Sequence, residues 1–94
     1  MTRPTVSEVR SFLLEHFSFT IAANGLNPTE IGDDFDLLEA GVIDSLGVLE
    51  MISAVEQRFK ITVDFEPMDP AELTLLDKFS SFVAENAVAR GDVS

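Results

Sequence analysis

The sequence predicts an all-α fold: a small four-helix bundle of three main helices and one short one, with a long loop between the first and second. Three observations carry this reading. Apolar residues recur at helical spacing in three stretches, Val6 to Phe17, Val48 to Phe59 and Leu75 to Val83. Helix-start signals precede those stretches and recur at Asp69-Pro70. Turn-forming residues cluster between Asn24 and Gly41, where a connection is needed.

The first helix opens at Thr5-Val6-Ser7-Glu8, a capping box in which the hydroxyl and the carboxylate satisfy free amides of the first turn. Val6, Val9, Leu13 and Phe17, with Phe12 alongside, form its apolar face to about residue 17 or a little beyond. Residues 18–44 are expected to be mostly irregular, because Asn24-Gly25, Asn27-Pro28, Gly32 and Gly41 each favour a turn. Their apolar content (Phe19, Ile21, Leu26, Ile31, Phe35, Leu37, Leu38, Val42, Ile43) is too high for a free linker. The loop is therefore expected to lie across the bundle and add to its core.

The second main helix runs from Ser45 to about Phe59, capped by Asp44 or Ser45, with Val48, Met51, Ile52, Val55 and Phe59 on one face. The β-branched Ile61-Thr62-Val63 ends that segment. Asp69-Pro70-Ala71-Glu72-Leu73 combines an N-cap, a proline at the first helical position and a short turn. Thr74-Leu75-Leu76-Asp77 opens the last helix with a Thr-x-x-Asp capping pattern. Leu75, Phe79, Phe82 and Val83 line its inner side, and Arg90-Gly91 marks its end.

Composition narrows the function. Ninety-four residues fit a single domain, 1–94, too short for a catalytic cleft between two domains. With 46% apolar residues the chain can build a core. Six basic against 17 acidic side chains give a formal charge of −11, which argues against nucleic acid and anionic membrane surfaces and favours basic protein partners. No cysteine means no disulfide, thiolate nucleophile or cysteine-held metal. The first twenty residues interleave Arg3, Glu8, Arg10, Glu15 and His16 with apolar positions, so no signal-peptide core is legible. No apolar run approaches the ~20 residues of a membrane span, and a cytoplasmic protein is expected.

The second helix holds the informative anomaly. At 100° per residue, Leu46 points almost opposite to Val55, and Leu46, Glu50, Ser53 and Gln57 share an outer face with Leu49 on its shoulder. Single exposed leucines are ordinary, yet two of them beside acidic groups and a helix-start serine make a partner-docking surface. Ser45 likewise has two readings. Asp44 and Ser45 can be an N-cap pair only. Alternatively, a serine hydroxyl at a helix N-terminus is well placed to carry a phosphodiester, since free amides and the helix dipole favour phosphate there.

The surrounding residues decide between them. The run Phe35-Asp36-Leu37-Leu38-Glu39-Ala40-Gly41-Val42-Ile43-Asp44-Ser45-Leu46-Gly47 resembles the attachment region of the acyl carrier and aminoacyl carrier protein family. In that family an Asp-Ser-Leu or Asp-Ser-Met tripeptide opens the second helix. The resemblance is tight over residues 33–60 and architectural beyond them. It implies a bundle of acyl-carrier type that is not itself an enzyme, with 4′-phosphopantetheine from coenzyme A attached covalently at Ser45. It further implies that Asp44 assists a phosphopantetheinyl transferase at its magnesium site, and that Leu46, Leu49, Glu50 and Glu56 meet partner enzymes. Those partners would be the transferase, an adenylating acyl- or aminoacyl-ligase, and a downstream transferase or synthase.

Gly47 stands where many fatty-acid carriers place an acidic residue, and Ser53 where they often place a larger apolar one. The string Val42-Ile43-Asp44-Ser45-Leu46-Gly47 is more similar to stand-alone D-alanyl or aminoacyl carriers and to specialised acyl carriers. Charge distribution points the same way: residues 11–57 hold nine Asp or Glu and no Lys or Arg. An acidic surface around Ser45 steers basic enzymes at long range.

Other sites fail on their own chemistry. Counting an EF-hand from Asp34 puts Glu39 at the sixth position and Ser45 at the twelfth, where glycine and glutamate are required. His16 has no second histidine or cysteine for a metal and no partner for a triad. No metal site is expected. The rival reading is a small acidic helical interaction or regulatory module without a prosthetic group, in which Asp44-Ser45 is only a cap.

Overall fold

The computed structural model describes residues 4–27, 30–32 and 35–89. Among them the elements are α1 (Val6–His16), α2 (Ser18–Ala23), α3 (Ser45–Phe59), β1 (Ile61–Thr62), a 3₁₀ turn (Pro70–Glu72), α4 (Leu76–Asn86) and β2 (Val88–Ala89). The three main helices are the expected ones. α1 packs against both α3 and α4, and among the described residues no helix is long and apolar enough to cross a membrane.

The capping box forms as the sequence requires. Glu8 N–H donates to Thr5 Oγ1 (3.1 Å) and Thr5 N–H donates to Glu8 Oε1 (2.8 Å). Val9 and Leu13 then turn inward with Phe17. Met51 and Val55 of α3, and Leu76, Phe79 and Val83 of α4, complete the centre of the core. Phe65, on the strand-to-turn connection, stacks on Phe79 with ring centroids 5.3 Å apart and planes 7° from parallel. Offset stacking of this kind adds to the area that burial removes from water.

Four expectations need correction. Residues 18–23 are helical, not irregular, because Phe17 and Ile21 are both buried, which fixes one more turn after α1. Two short helical pieces therefore accompany the three long ones. Thr74 does not cap α4: Leu75 occupies the N-cap position with no side-chain hydrogen bond. The backbone there is held across the chain instead. Leu37 N–H donates to the Thr74 carbonyl (2.8 Å) and Leu76 N–H to the Phe35 carbonyl (2.9 Å), around an antiparallel bridge between Asp36 and Leu75. Leu76 is consequently fully buried, while Leu75, expected on the inner side, is only half-buried.

Third, α4 stops at Asn86, and Val88–Ala89 pairs antiparallel with Ile61–Thr62, so the β-branched residues after α3 form a strand. Arg90 and Gly91, expected to mark the helix end, lie outside the described residues. Fourth, the loop does cross the bundle, with Leu37, Val42 and Ile43 buried and Ile31 and Phe35 packed against the core. Phe19, Leu26 and Leu38, however, are exposed. Arg10 ties this loop to α1 by donating from Nη2 to the Ile31 carbonyl (2.7 Å).

Candidate functional site

Ser45 is the first residue of α3 and is exposed. Its position follows from the residue before it. Asp44 is extended (φ −112°, ψ −172°), and its Oδ1 accepts the Gly47 N–H at 2.7 Å. The Asp44 carbonyl accepts the Val48 N–H at 3.2 Å. The amides of Ser45 and Leu46 have no acceptor among the described residues. An exposed hydroxyl thus stands beside two open backbone donors at the positive end of a 15-residue helix. That donor set fits a phosphodiester on Ser45 Oγ. Of the two expected caps, the structure selects Asp44, which leaves the serine side chain uncommitted.

The turn leading into the site is built by its own acid. Asp36 Oδ1 accepts the amides of Leu38 (3.0 Å) and Glu39 (3.1 Å), and Gly41 completes the turn with φ +80°, a left-handed conformation suited to glycine. Leu37 anchors it below: its carbonyl accepts the amides of Val42 (2.9 Å) and Ile43 (3.2 Å). Asp36 thus serves the backbone as an Asx turn, a task open to a short acidic side chain at the start of a turn.

The outer face of α3 is arranged as its periodicity predicts. Leu46 is 76% exposed and Leu49 66% exposed, with Glu50, Ser53 and Gln57 also exposed. Gln57 Nε2 donates to Ser53 Oγ at 3.3 Å. Glu56 departs from the group. It is half-buried, and its Oε2 accepts the Val63 N–H at 3.0 Å, so its carboxylate holds the connection after β1.

An open groove of about 650 Å³ lies between the α1–α2 junction and the first turns of α3. His16, Phe17 and Thr20 form one wall, and Asp44, Gly47 and Glu50 the other. Nothing in the sequence pattern alone put α2 across a groove from Asp44 and Gly47. His16 is exposed and packs its ring against Phe12 (centroids 5.4 Å) and Phe17 (4.9 Å). Among the described residues no three His, Cys, Asp or Glu side chains converge as a metal site would require, and Asp33 and Asp34 lie outside them.

Residues 21–73 match the protein family described as "Phosphopantetheine attachment site". The D-alanyl carrier proteins of two Streptococcus suis strains are 42% and 40% identical over 52 residues, 55% of this chain and 66% of theirs. The chain thus spans just under two thirds of the length of these curated relatives. The clavatol synthase claF of Penicillium crustosum is 41% identical over 61 residues, 65% of this chain and 2% of the synthase. No solved structure matches. The family match covers more than half of the chain and contains the whole of α3 together with the turn that presents Ser45. This chain therefore belongs to the phosphopantetheine-binding carrier protein family, non-catalytic proteins that hold 4′-phosphopantetheine as a covalent prosthetic group.

Proposed function

We propose that this protein carries an aminoacyl group as a thioester on 4′-phosphopantetheine attached to Ser45, and presents it to partner enzymes. The observation that carries the site is the exposed Ser45 at the N-terminus of α3, where the Ser45 and Leu46 amides have no acceptor among the described residues. On attachment the serine oxygen gains a bond to phosphorus, the pyrophosphate bridge of coenzyme A breaks, and the adenosine bisphosphate half leaves. The hydroxyl proton passes to the transferase. The Ser45 and Leu46 amides then favour the phosphodiester charge. Asp44 keeps the helix start in register and offers a carboxylate to the transferase's magnesium. The attached group supplies a thiol on a flexible tether.

Leu46, Leu49 and Glu50 are the surface that partner enzymes read: two apolar contacts beside a charge that steers basic surfaces. The partners are a phosphopantetheinyl transferase, an adenylating ligase that loads the thiol, and a transferase that unloads it, all cytoplasmic. The aminoacyl cargo is favoured over a fatty one by similarity to proteins named D-alanyl carriers and by glycine at position 47.

The test incubates the protein with coenzyme A, magnesium and several broad-specificity transferases and reads intact mass for the wild type and Ser45→Ala. The wild type is expected to gain one arm and Ser45→Ala none. An unmodified wild type would leave the acidic interaction module as the reading. A gain that survives Ser45→Ala would move the site. Loading the arm with amino acids or fatty acids, each with its ligase, then reports the cargo.

A further inference from the structure

The chain has asparagine at positions 24, 27 and 86, and the residue after each decides its chemical fate. An asparagine loses its amide when the next backbone nitrogen attacks the side-chain carbonyl carbon. Asn27 precedes Pro28, whose nitrogen has no N–H to give up. Asn86 precedes Ala87, whose side chain is buried and whose N–H is bonded to the Val83 carbonyl (2.9 Å). Asn24 precedes Gly25, which has no side chain to obstruct ring closure, and both residues are exposed.

The fold itself requires that pair. Asn24 is the C-cap of α2, and Gly25 follows in the left-handed conformation (φ +78°) with which helices commonly end at glycine. Leu26 N–H closes the motif by donating to the Ile21 carbonyl (3.1 Å). The same turn holds the reacting groups apart. Asn24 Nδ2 donates to the Thr20 carbonyl (2.8 Å), and Gly25 N–H donates to the Ala22 carbonyl (3.0 Å). At ψ 11° the Gly25 nitrogen nearly eclipses the nitrogen of Asn24 and is turned away from its Cβ. Ring closure therefore needs the last turn of α2 to open. That helix is 6 residues long, has no side-chain N-cap and fully buries only Ile21, so its end can open while the core stays folded.

We propose that Asn24 is a site of spontaneous modification, converted to aspartate or isoaspartate through local opening of α2. The Gly25 nitrogen bonds to Asn24 Cγ and the Cγ–Nδ2 bond breaks. The proton from Gly25 ends, by way of water, on the departing ammonia. A water molecule then opens the cyclic imide at either carbonyl, and nothing is oxidised or reduced. Either product puts a carboxylate at the C-terminal end of α2, where the helix dipole disfavours negative charge. It also removes the amide donor that meets the Thr20 carbonyl. The modification thus weakens α2, whose Thr20 lines the groove opposite Asp44 and Glu50.

The experiment ages the full chain at neutral pH, folded or in concentrated urea, and follows amide-to-acid conversion by peptide mass spectrometry. In urea Asn24 is expected to convert ahead of Asn86, with Asn27 unchanged, and Gly25→Ala should slow it severalfold. In the folded chain Asn24 should convert roughly tenfold slower or more, by the factor that protects the Gly25 amide from hydrogen exchange. Urea below the unfolding midpoint should leave that rate nearly unchanged, since local opening exposes little surface. Asn24→Asp, which carries the charge of the product, should lower the melting midpoint by a few degrees. Asn86 converting first, or no conversion at Asn24, overturns the site. Equal folded and unfolded rates, or a folded rate that climbs with urea as global unfolding does, overturn the local opening. An unchanged midpoint for Asn24→Asp overturns the effect on α2.

Discussion

Gly47 packs directly over Ile43: a Cβ on Gly47 would stand 2.9 Å from Ile43 Cβ and 3.3 Å from Asp44 Oδ1. The first of these is closer than real Cβ contacts come, and Ile43 is a buried core residue with no freedom to retreat. The glycine that looked like a departure from fatty-acid carriers is therefore what lets α3 start this close to the loop. Replacing glycine by alanine inside a helix ordinarily stabilises by about 1 kcal/mol. Here Gly47→Ala is expected to destabilise by about 1–2 kcal/mol net, because overpacking outweighs propensity. Urea unfolding followed by circular dichroism gives the sign directly.

Asp44 caps α3, and two substitutions separate that task from the proposed one toward the transferase. Asp44→Asn keeps an oxygen for the Gly47 amide, since asparagine caps helices as well as aspartate does. It should leave stability nearly unchanged while slowing arm transfer through loss of the carboxylate. Asp44→Ala should lose the cap as well, at about 1 kcal/mol. Paired unfolding and transferase measurements on the two variants report each effect.

Glu50 and Glu56 share α3 but differ in burial: Glu50 is exposed, and Glu56 is half-buried and hydrogen-bonded. Glu56→Ala leaves the buried Val63 N–H without its acceptor and should cost about 1–2 kcal/mol of stability. It should not alter KM toward partner enzymes. Glu50→Ala should be neutral in unfolding but raise that KM, and the difference from wild type should shrink as salt screens the exposed charge.

Ser80 is fully buried in α4, and its Oγ has no hydrogen-bond partner among the described residues. Removing an unsatisfied buried hydroxyl relieves a desolvation cost, and alanine is also the better helix former. Ser80→Ala is expected to stabilise the protein by about 1 kcal/mol. A higher melting midpoint with unchanged arm transfer is the expected result, and a lower midpoint would show that the hydroxyl is satisfied in solution.

Local pattern was enough to place the three long helices, the cap at Thr5, a second cap at Asp44 or Ser45, and the outward face of Leu46 and Leu49. These depend on interactions within a few residues, where spacing and side-chain chemistry suffice. It also marked Ser45, because the signal was a contiguous string leading into a helix start. Only the tertiary structure decided what depends on contacts between distant segments. The Asp36–Leu75 bridge displaced the expected Thr74 cap. The pairing of Ile61–Thr62 with Val88–Ala89 turned a helix tail into a strand. Core burial of Phe17 and Ile21 made α2 helical and left Phe19 in water, while the Val63 amide engaged the Glu56 carboxylate. In each case a backbone or apolar group found its partner far along the chain, and local pattern carries no record of such a partner.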